Sequence, residues 1–179
     1  MLFLTEAIAL RISQDWWTMG RIRISVLLTA AGILLAAAQI LLEPCLLVTA
    51  NGERIALAPA QAGFPLSVRF IHSVQKTPVE ENLRIEDGGF TLDSTRYQSF
   101  GVGLPFLAEE GRFRREGDDF VFDRMNRHFP ALSLRTGVGT HLVLTLGAGG
   151  AKRVLALYER WAPGTRIDLS VRPLWRVMF

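Results

Sequence analysis

The chain has 179 residues, a length that suits one domain. Its net charge of +3 comes mainly from arginines spread along the sequence, without the dense basic run or interleaved aromatics of a nucleic-acid site, so we expect no nucleic-acid partner. Because Cys45 is the only cysteine, an internal disulfide is excluded and packing must hold the domain together.

The first predicted element is an apolar, charge-free segment at residues 24–42. As a helix rising 1.5 Å per residue it spans roughly 28 Å, close to the ~30 Å hydrocarbon layer of a bilayer. Arg21 and Arg23 precede the segment and Glu43-Pro44 follows it. The positive-inside rule therefore predicts a cytoplasmic stretch at residues 1–20, a transmembrane anchor or signal segment at 21–44 and an extracytoplasmic β domain at 45–179.

A cleaved signal peptide fits the same segment. The basic residues 21–23, the apolar stretch 24–35 and the alanines at 36–38 have its three-part form. We therefore expect either an inner-membrane protein whose main domain is periplasmic or a soluble periplasmic protein. Met19 is an alternative start to Met1. The basic charge suits an anionic membrane surface or an acidic partner.

From residue 45 onward the sequence has the periodicity of strands. Residues 45–49, with Cys45 opening the strand, and 54–57 flank Asn51-Gly52, a dipeptide that accepts positive φ in a tight hairpin turn. A second hairpin joins the alternating segments 66–70 and 79–85. Further strands are predicted at residues 90–97, 120–122, 131–135, 141–146, 154–158 and 167–171. The predicted fold class is all-β, an antiparallel sandwich or open barrel of about nine or ten short strands, with no long amphipathic helix.

The register of the second hairpin can be argued from its apolar residues. Residues that stand opposite each other on antiparallel strands share a face of the sheet. In this hairpin, apolar residues stand opposite apolar residues only if the sequence numbers of each pair add up to an odd value. A sum of 151 closes the loop over residues 73–78 and pairs Phe70 with Glu81. Glu81 then faces the apolar layer, with His72 diagonal to it. Because an unpaired buried carboxylate costs several kcal/mol, we predict a hydrogen bond between His72 and Glu81.

Candidate binding residues lie in two short blocks, FIHSVQKTPVEE at 70–81 and SFGVGLP at 99–105. Glycines in the second block allow close approach of the backbone to a ligand. The residues predicted to form one binding surface are His72, Ser73, Lys76, Glu81, Ser99, Gly101 and Gly103. The alternative is structural: His72 and Glu81 tie two strands together, residues 76–78 supply a turn, and the glycines mark a bulge or bend.

Other chemistry is disfavoured by the sequence. Ser73 and His72 are adjacent on a strand and point to opposite faces, which prevents serine–histidine catalysis, so no catalytic residue is predicted. GAGGAK at 147–152 lacks the Gly-Lys-Ser/Thr ending of a phosphate loop and lies between two strands, so a hairpin loop is predicted. His128 and His141 have no neighbours at metal-ligand spacing, and we expect neither a metal nor a cofactor.

Together, FIHSVQKTPVEE and SFGVGLP resemble the signature of an uncharacterised bacterial domain-of-unknown-function family. Its members are often encoded beside, or fused to, the membrane subunits of TAXI-type TRAP transporters. The general pattern covers roughly residues 45–175, and Val102 stands where the family more often has alanine. The resemblance implies an exported accessory or binding module of a solute-uptake system, with the TRAP membrane subunit as partner and no assigned catalytic residue. The alternatives are a small enzyme with His72 and Glu81 as an acid–base pair, or a purely structural envelope protein.

Overall fold

The computed structural model describes residues 25–99 and 111–178. Its first element is the apolar helix α1 (Ser25–Leu42), which by length and composition can cross a membrane. This agrees with the predicted signal or transmembrane segment. The chain divides into two compact units, one ending at Glu43 and the other beginning at Pro44.

The second unit is built from antiparallel strands, as predicted, with twelve strands in the described region. They are β1 (Pro44–Ala50), β2 (Glu53–Pro59), β3 (Pro65–Ile71), β4 (Pro78–Glu86), β5 (Gly89–Tyr97), β6 (Arg112–Glu116), β7 (Asp119–Asp123), β8 (Arg127–Phe129), β9 (Ala131–Arg135), β10 (Val143–Leu146), β11 (Arg153–Ala156) and β12 (Arg166–Pro173). Two four-residue helices, α2 (Leu157–Arg160) and α3 (Trp175–Met178), follow β11 and β12.

The strands form two sheets. A four-stranded sheet has the order β2-β1-β12-β9. An eight-stranded sheet has the order β11-β10-β3-β4-β5-β7-β6, with β8 paired to β5. The chain passes from the larger sheet to the smaller one between β8 and β9, at Pro130.

One buried core contains side chains of both sheets, which is the arrangement of a sandwich. Leu46, Val48 and Leu169 come from the smaller sheet, and Val68 and Leu144 from the larger. These side chains occupy alternate positions of their strands because successive residues of a strand point to opposite faces. The alternation read in the sequence is therefore the alternation that fills the core.

One tight turn matches the sequence prediction, and a second has the same backbone geometry. Asn51 and Gly52 join β1 to β2 with φ values of 49° and 91°, and Asp87 and Gly88 join β4 to β5 with φ values of 48° and 71°. Two successive residues with positive φ are typical of the turn whose twist suits a hairpin. The first hairpin therefore forms at the dipeptide that was predicted to be its turn.

Three details differ from the predicted strands. β6 and β8 were not predicted, because β6 has the arginine-rich sequence RFRRE and β8 has only three residues. The predicted strand at 154–158 ends instead at Ala156, which pairs with Val143, the first residue of β10. Beyond that pair the N–H of Leu157 donates to the carbonyl of Leu142 at 3.0 Å, and the chain enters α2. The predicted count of nine or ten strands was therefore too low.

The register predicted for the second hairpin was wrong by two residues. Phe70 pairs with Val79, and Val68 pairs with Glu81, so paired numbers sum to 149 instead of 151. The odd parity was correct, and the sets of residues on each face are those predicted. The loop is tighter than expected because Lys76 adopts a positive φ of 56° and its N–H donates to the carbonyl of His72 at 2.9 Å.

Candidate functional site

His72 lies at the closed end of the β3–β4 hairpin and is buried, at 7% exposure. Its Nδ1 accepts hydrogen bonds from the backbone N–H groups of Val74 and Gln75, each at 3.2 Å. Its own N–H donates to the carbonyl of Thr77 at 2.9 Å. The ring thus holds the loop in shape, which corresponds to the structural alternative for this residue.

Glu81 faces the core side of the sheet, as predicted, but far from His72. It pairs with Val68 on one side and Thr95 on the other, and both are buried. His72 stands opposite Thr77, four residues along β4 from Glu81, which is about 13 Å at 3.3 Å per residue. The hydrogen bonds formed within residues 25–99 and 111–178 do not include the predicted one between His72 and Glu81. The same separation removes the geometric support for an acid–base pair.

Burial raises the pKa of the Glu81 carboxyl, and the positive charge of Arg127 opposes part of this rise. A raised folded-state pKa means that the folded protein binds the proton more tightly than the unfolded chain. The group therefore contributes to stability below its unfolded pKa, and this contribution is lost as pH rises through the folded pKa.

Glu81→Gln, which resembles the protonated acid, is expected to stabilise the protein at pH 7 by about 1 kcal/mol, or ~3 °C in Tm. The gain is expected to vanish below about pH 4, where the native carboxyl is also protonated. Urea unfolding of the full chain in mild detergent at both pH values measures it. Glu80→Gln, on the outward face of the same strand, is the matched control and should change little. A loss of stability in Glu81→Gln at pH 7 would mean that the charge attracted by Arg127 is the favourable form.

Three more of the predicted site residues lie near the closed end of the β3–β4 hairpin. Ser73 and Lys76 are exposed in the hairpin loop. Ser99 is half-buried, two residues beyond Tyr97, whose partner Val79 follows Pro78 at that end of β4. Gly101 and Gly103 lie outside the described residues. The topology thus brings Ser99 to the hairpin end of the sheet and sends Glu81 into its middle.

A different set of side chains lines a shallow groove on the outward face of the larger sheet. The groove has a volume of about 440 Å³ and runs across β3, β4, β10 and β11. Small-molecule sites commonly have volumes of roughly 300–1,000 Å³. The groove is lined by side chains that include Ser67, Arg69, Ile71, Glu80, His141, Val143, Thr145, Lys152, Val154 and Tyr158.

One end of this groove is formed by two stacked rings. The imidazole of His141 and the phenol of Tyr158 have centroids 4.8 Å apart with 25° between their planes. His141 has a φ of 45°, a left-handed conformation that a non-glycine residue adopts at some cost. The Tyr158 hydroxyl donates to the Glu159 carboxylate at 3.0 Å, and this bond and charge raise the pKa of Tyr158.

Two cationic side chains and two aliphatic hydroxyls of the groove make no ion pair or side-chain hydrogen bond with the residues that the structure describes. Within the described part of the chain, neither Arg69 nor Lys152 forms an ion pair. Ser67 and Thr145 stand opposite each other on β3 and β10, and their hydroxyls form no hydrogen bond with described residues. Glu80 stands opposite Arg69 on β4 and gives the groove one acidic wall.

The groove combines two cations, two hydroxyls, a pair of aromatic rings and an apolar floor. Cations and hydroxyl donors bind an anionic group such as a carboxylate. The rings and the side chains of Ile71, Val143 and Val154 suit a small apolar or planar body attached to it. The arrangement is suited to binding an organic anion.

This groove was not among the sites predicted from the sequence. There, His141 was weighed only as a metal ligand and Lys152 only as part of a loop. The predicted loop at residues 147–152 is confirmed, since a 3-10 turn at Gly149–Ala151 connects β10 to β11. Alternation marks Ser67, Arg69 and Thr145 as outward residues, yet nothing local shows that β10 lies beside β3.

Part of the chain matches a known protein family. Residues 66–151 match the family described as Domain of unknown function (DUF1850). The matched segment begins at the second residue of β3 and includes β3 to β10. A domain of an uncharacterised family is therefore present, which agrees with the resemblance to a domain-of-unknown-function family. No curated protein and no solved structure matches the chain.

Proposed function

We propose that this chain is a membrane-associated, extracytoplasmic binding module that holds a small organic anion in the outward groove of its larger sheet. The observation that carries the proposal is the presence of Arg69 and Lys152, without internal ion pairs among the described residues, beside the stacked rings of His141 and Tyr158. The apolar helix α1 supports export or anchoring of the domain.

The anion is bound in the proposed site by two kinds of contact. Arg69 and Lys152 contact its negative group, with the Ser67 and Thr145 hydroxyls as additional donors. A planar apolar body lies against Tyr158, where stacking adds to its burial. Glu80 disfavours dianions that place a second charge near β4, because like charges repel.

Benzoate is a suitable probe because it carries one carboxylate on one ring. We expect the full chain in mild detergent to bind benzoate but not benzyl alcohol, which keeps the ring and lacks the charge. Arg69→Gln and Lys152→Gln are each expected to weaken binding by about 10-fold or more, since a charge-assisted hydrogen bond contributes ~1.5–3 kcal/mol. Isothermal titration calorimetry measures both.

Arg112→Gln is the matched control. Arg112 is an exposed arginine on β6 of the same sheet, so this substitution removes the same charge outside the groove. Equal affinity for benzoate and benzyl alcohol would contradict the proposal. So would an Arg69→Gln variant that binds benzoate as well as the native chain does.

The proposed partner is the membrane subunit of a TRAP-type solute uptake system, with the module in the periplasm. This part of the proposal rests on the sequence resemblance, of which the DUF1850 match to residues 66–151 supports only the membership of an uncharacterised family. Co-expression with such a subunit, followed by mild detergent extraction and purification, tests it. Failure of the two chains to co-purify would remove this partner and leave the groove proposal to its own experiment.

A further inference from the structure

Arginines cluster on the outward face of the smaller sheet and on the helix that follows it. Arg54 stands opposite Thr49 on the outward side of β1 and β2, and Arg172 lies on the outward side of β12. Arg176 lies on α3, with its guanidinium 5.1 Å from the Trp175 ring centre. The C-terminal patch is the surface formed by Arg54, Arg172, Trp175, Arg176 and Met178. All of them are exposed.

The patch is one surface because α3 turns back over the sheet. The Arg54 guanidinium donates to the carbonyl of Val177 at 3.4 Å. A groove of about 660 Å³ is lined by residues of β1, β9 and β12 together with Trp175 and Arg176. The helix therefore presents its tryptophan beside the arginines of the sheet.

The patch joins uncompensated positive charge to exposed apolar side chains. In the part of the chain that the structure describes, neither Arg172 nor Arg176 forms an ion pair. Trp175 is 41% exposed and Met178 is 58% exposed. Tryptophan with neighbouring arginine is the combination enriched where proteins meet lipid headgroups.

The covalent chain keeps the start of α3 near the end of α1. Only Glu43 separates Leu42, the last residue of α1, from Pro44, the first residue of β1. Pro44 pairs with Pro173, and Trp175 follows two residues later. Whatever the orientation of the domain, the start of α3 is thus a short distance from the residue at which the apolar helix ends.

We infer that the C-terminal patch docks on an anionic membrane surface, with Trp175 and Met178 at the headgroup level and Arg172 and Arg176 on lipid phosphates. A cation near an anionic bilayer surface strengthens binding by about five-fold, so removing two is expected to shift the ratio of docked to undocked domains by ~25-fold. The contact is expected to weaken at high ionic strength.

The test uses the full chain in nanodiscs of phosphatidylcholine with and without phosphatidylglycerol. A nitroxide at Met178→Cys in a Cys45→Ser background reports docking by its accessibility to oxygen and to an aqueous nickel reagent. A nitroxide at Val154→Cys in the same Cys45→Ser background is the control. Val154 is 55% exposed and lines the groove on the outward face of the larger sheet, so it lies on the opposite outer face of the sandwich from the C-terminal patch.

We expect the Met178 label to be shielded from the nickel reagent in phosphatidylglycerol nanodiscs and the Val154 label to stay aqueous. The double variant Arg172→Gln/Arg176→Gln should expose the Met178 label. The double variant Arg112→Gln/Arg124→Gln removes equal charge from the larger sheet and the β7–β8 loop and should leave the label shielded. The inference is overturned if the Met178 label is as aqueous as the Val154 label. It is also overturned if shielding is the same without phosphatidylglycerol, or if the chain does not associate with nanodiscs.

Discussion

Phe122→Ala is expected to lower the free energy of unfolding by about 3–5 kcal/mol. Phe122 is 2% exposed and lies in the larger sheet against Tyr97, with ring centroids 6.4 Å apart and nearly parallel planes. Removing its ring deletes apolar contacts with the core and leaves a cavity that the flanking strands cannot close. Urea unfolding of the full chain in mild detergent measures the change.

Phe113→Ala is the matched control for this change. Phe113 belongs to the same group of rings, 5.2 Å from Phe122, but it is 48% exposed on β6. The same atoms are removed, and solvent fills the space in place of a cavity, so a loss of about 1 kcal/mol is expected. Equal losses for the two variants would show that the aromatic contacts, and not burial, determine the stability of this region.

Gly89→Ala is expected to lower stability by about 3 kcal/mol, the upper end of the range for overpacking. A Cβ at Gly89 would stand 2.5 Å from the carbonyl oxygen of Phe129 and 2.8 Å from the ring of His128. The nearest atom belongs to the backbone of β8 and cannot rotate away. The substitution therefore pushes β8 off β5, just before the chain crosses from one sheet to the other. The midpoint of thermal unfolding, followed by circular dichroism, measures this loss.

Gly150→Ala is the control for the glycine change. A Cβ at Gly150 would have no heavy atom within 4 Å, and its backbone has no positive φ. The free energy of unfolding of Gly150→Ala is expected to stay within about 0.5 kcal/mol of the native value. If Gly89→Ala is as stable as Gly150→Ala, then β8 does not need the close approach that the structure shows.

Part of the candidate site could be predicted from single residues. The odd parity of the β3–β4 hairpin placed Glu81 on the core side because apolar residues must face each other. His72 was correctly placed at the closed end of the hairpin, but its contact with Glu81 was wrong. The predicted register (sum 151) and the observed register (sum 149) put the same residues on each face and differ in the length of the loop. The shorter loop depends on the positive φ of Lys76, which no local apolar pattern reveals.

The groove and the C-terminal patch could not be predicted in the same way. Arg69 and Lys152 are 83 residues apart in the sequence and meet because β10 pairs with β3. Arg172 and Arg54 share a face because β12 lies beside β1. Such pairings are set by the packing of whole sheets, whose strand order is not encoded in the period of any one strand.

The amino-acid sequence alone determined the apolar helix, the all-β class, the turn at Asn51-Gly52 and the inward-facing residues of each main strand. These features depend on backbone sterics and on the alternation of polar and apolar side chains, which act over a few residues. Tertiary structure alone decided the hairpin register, the place of Glu81 and the assembly of Arg69, Lys152, His141 and Tyr158 into one groove. Those depend on which distant strands become neighbours, and the common core that both sheets bury makes that choice.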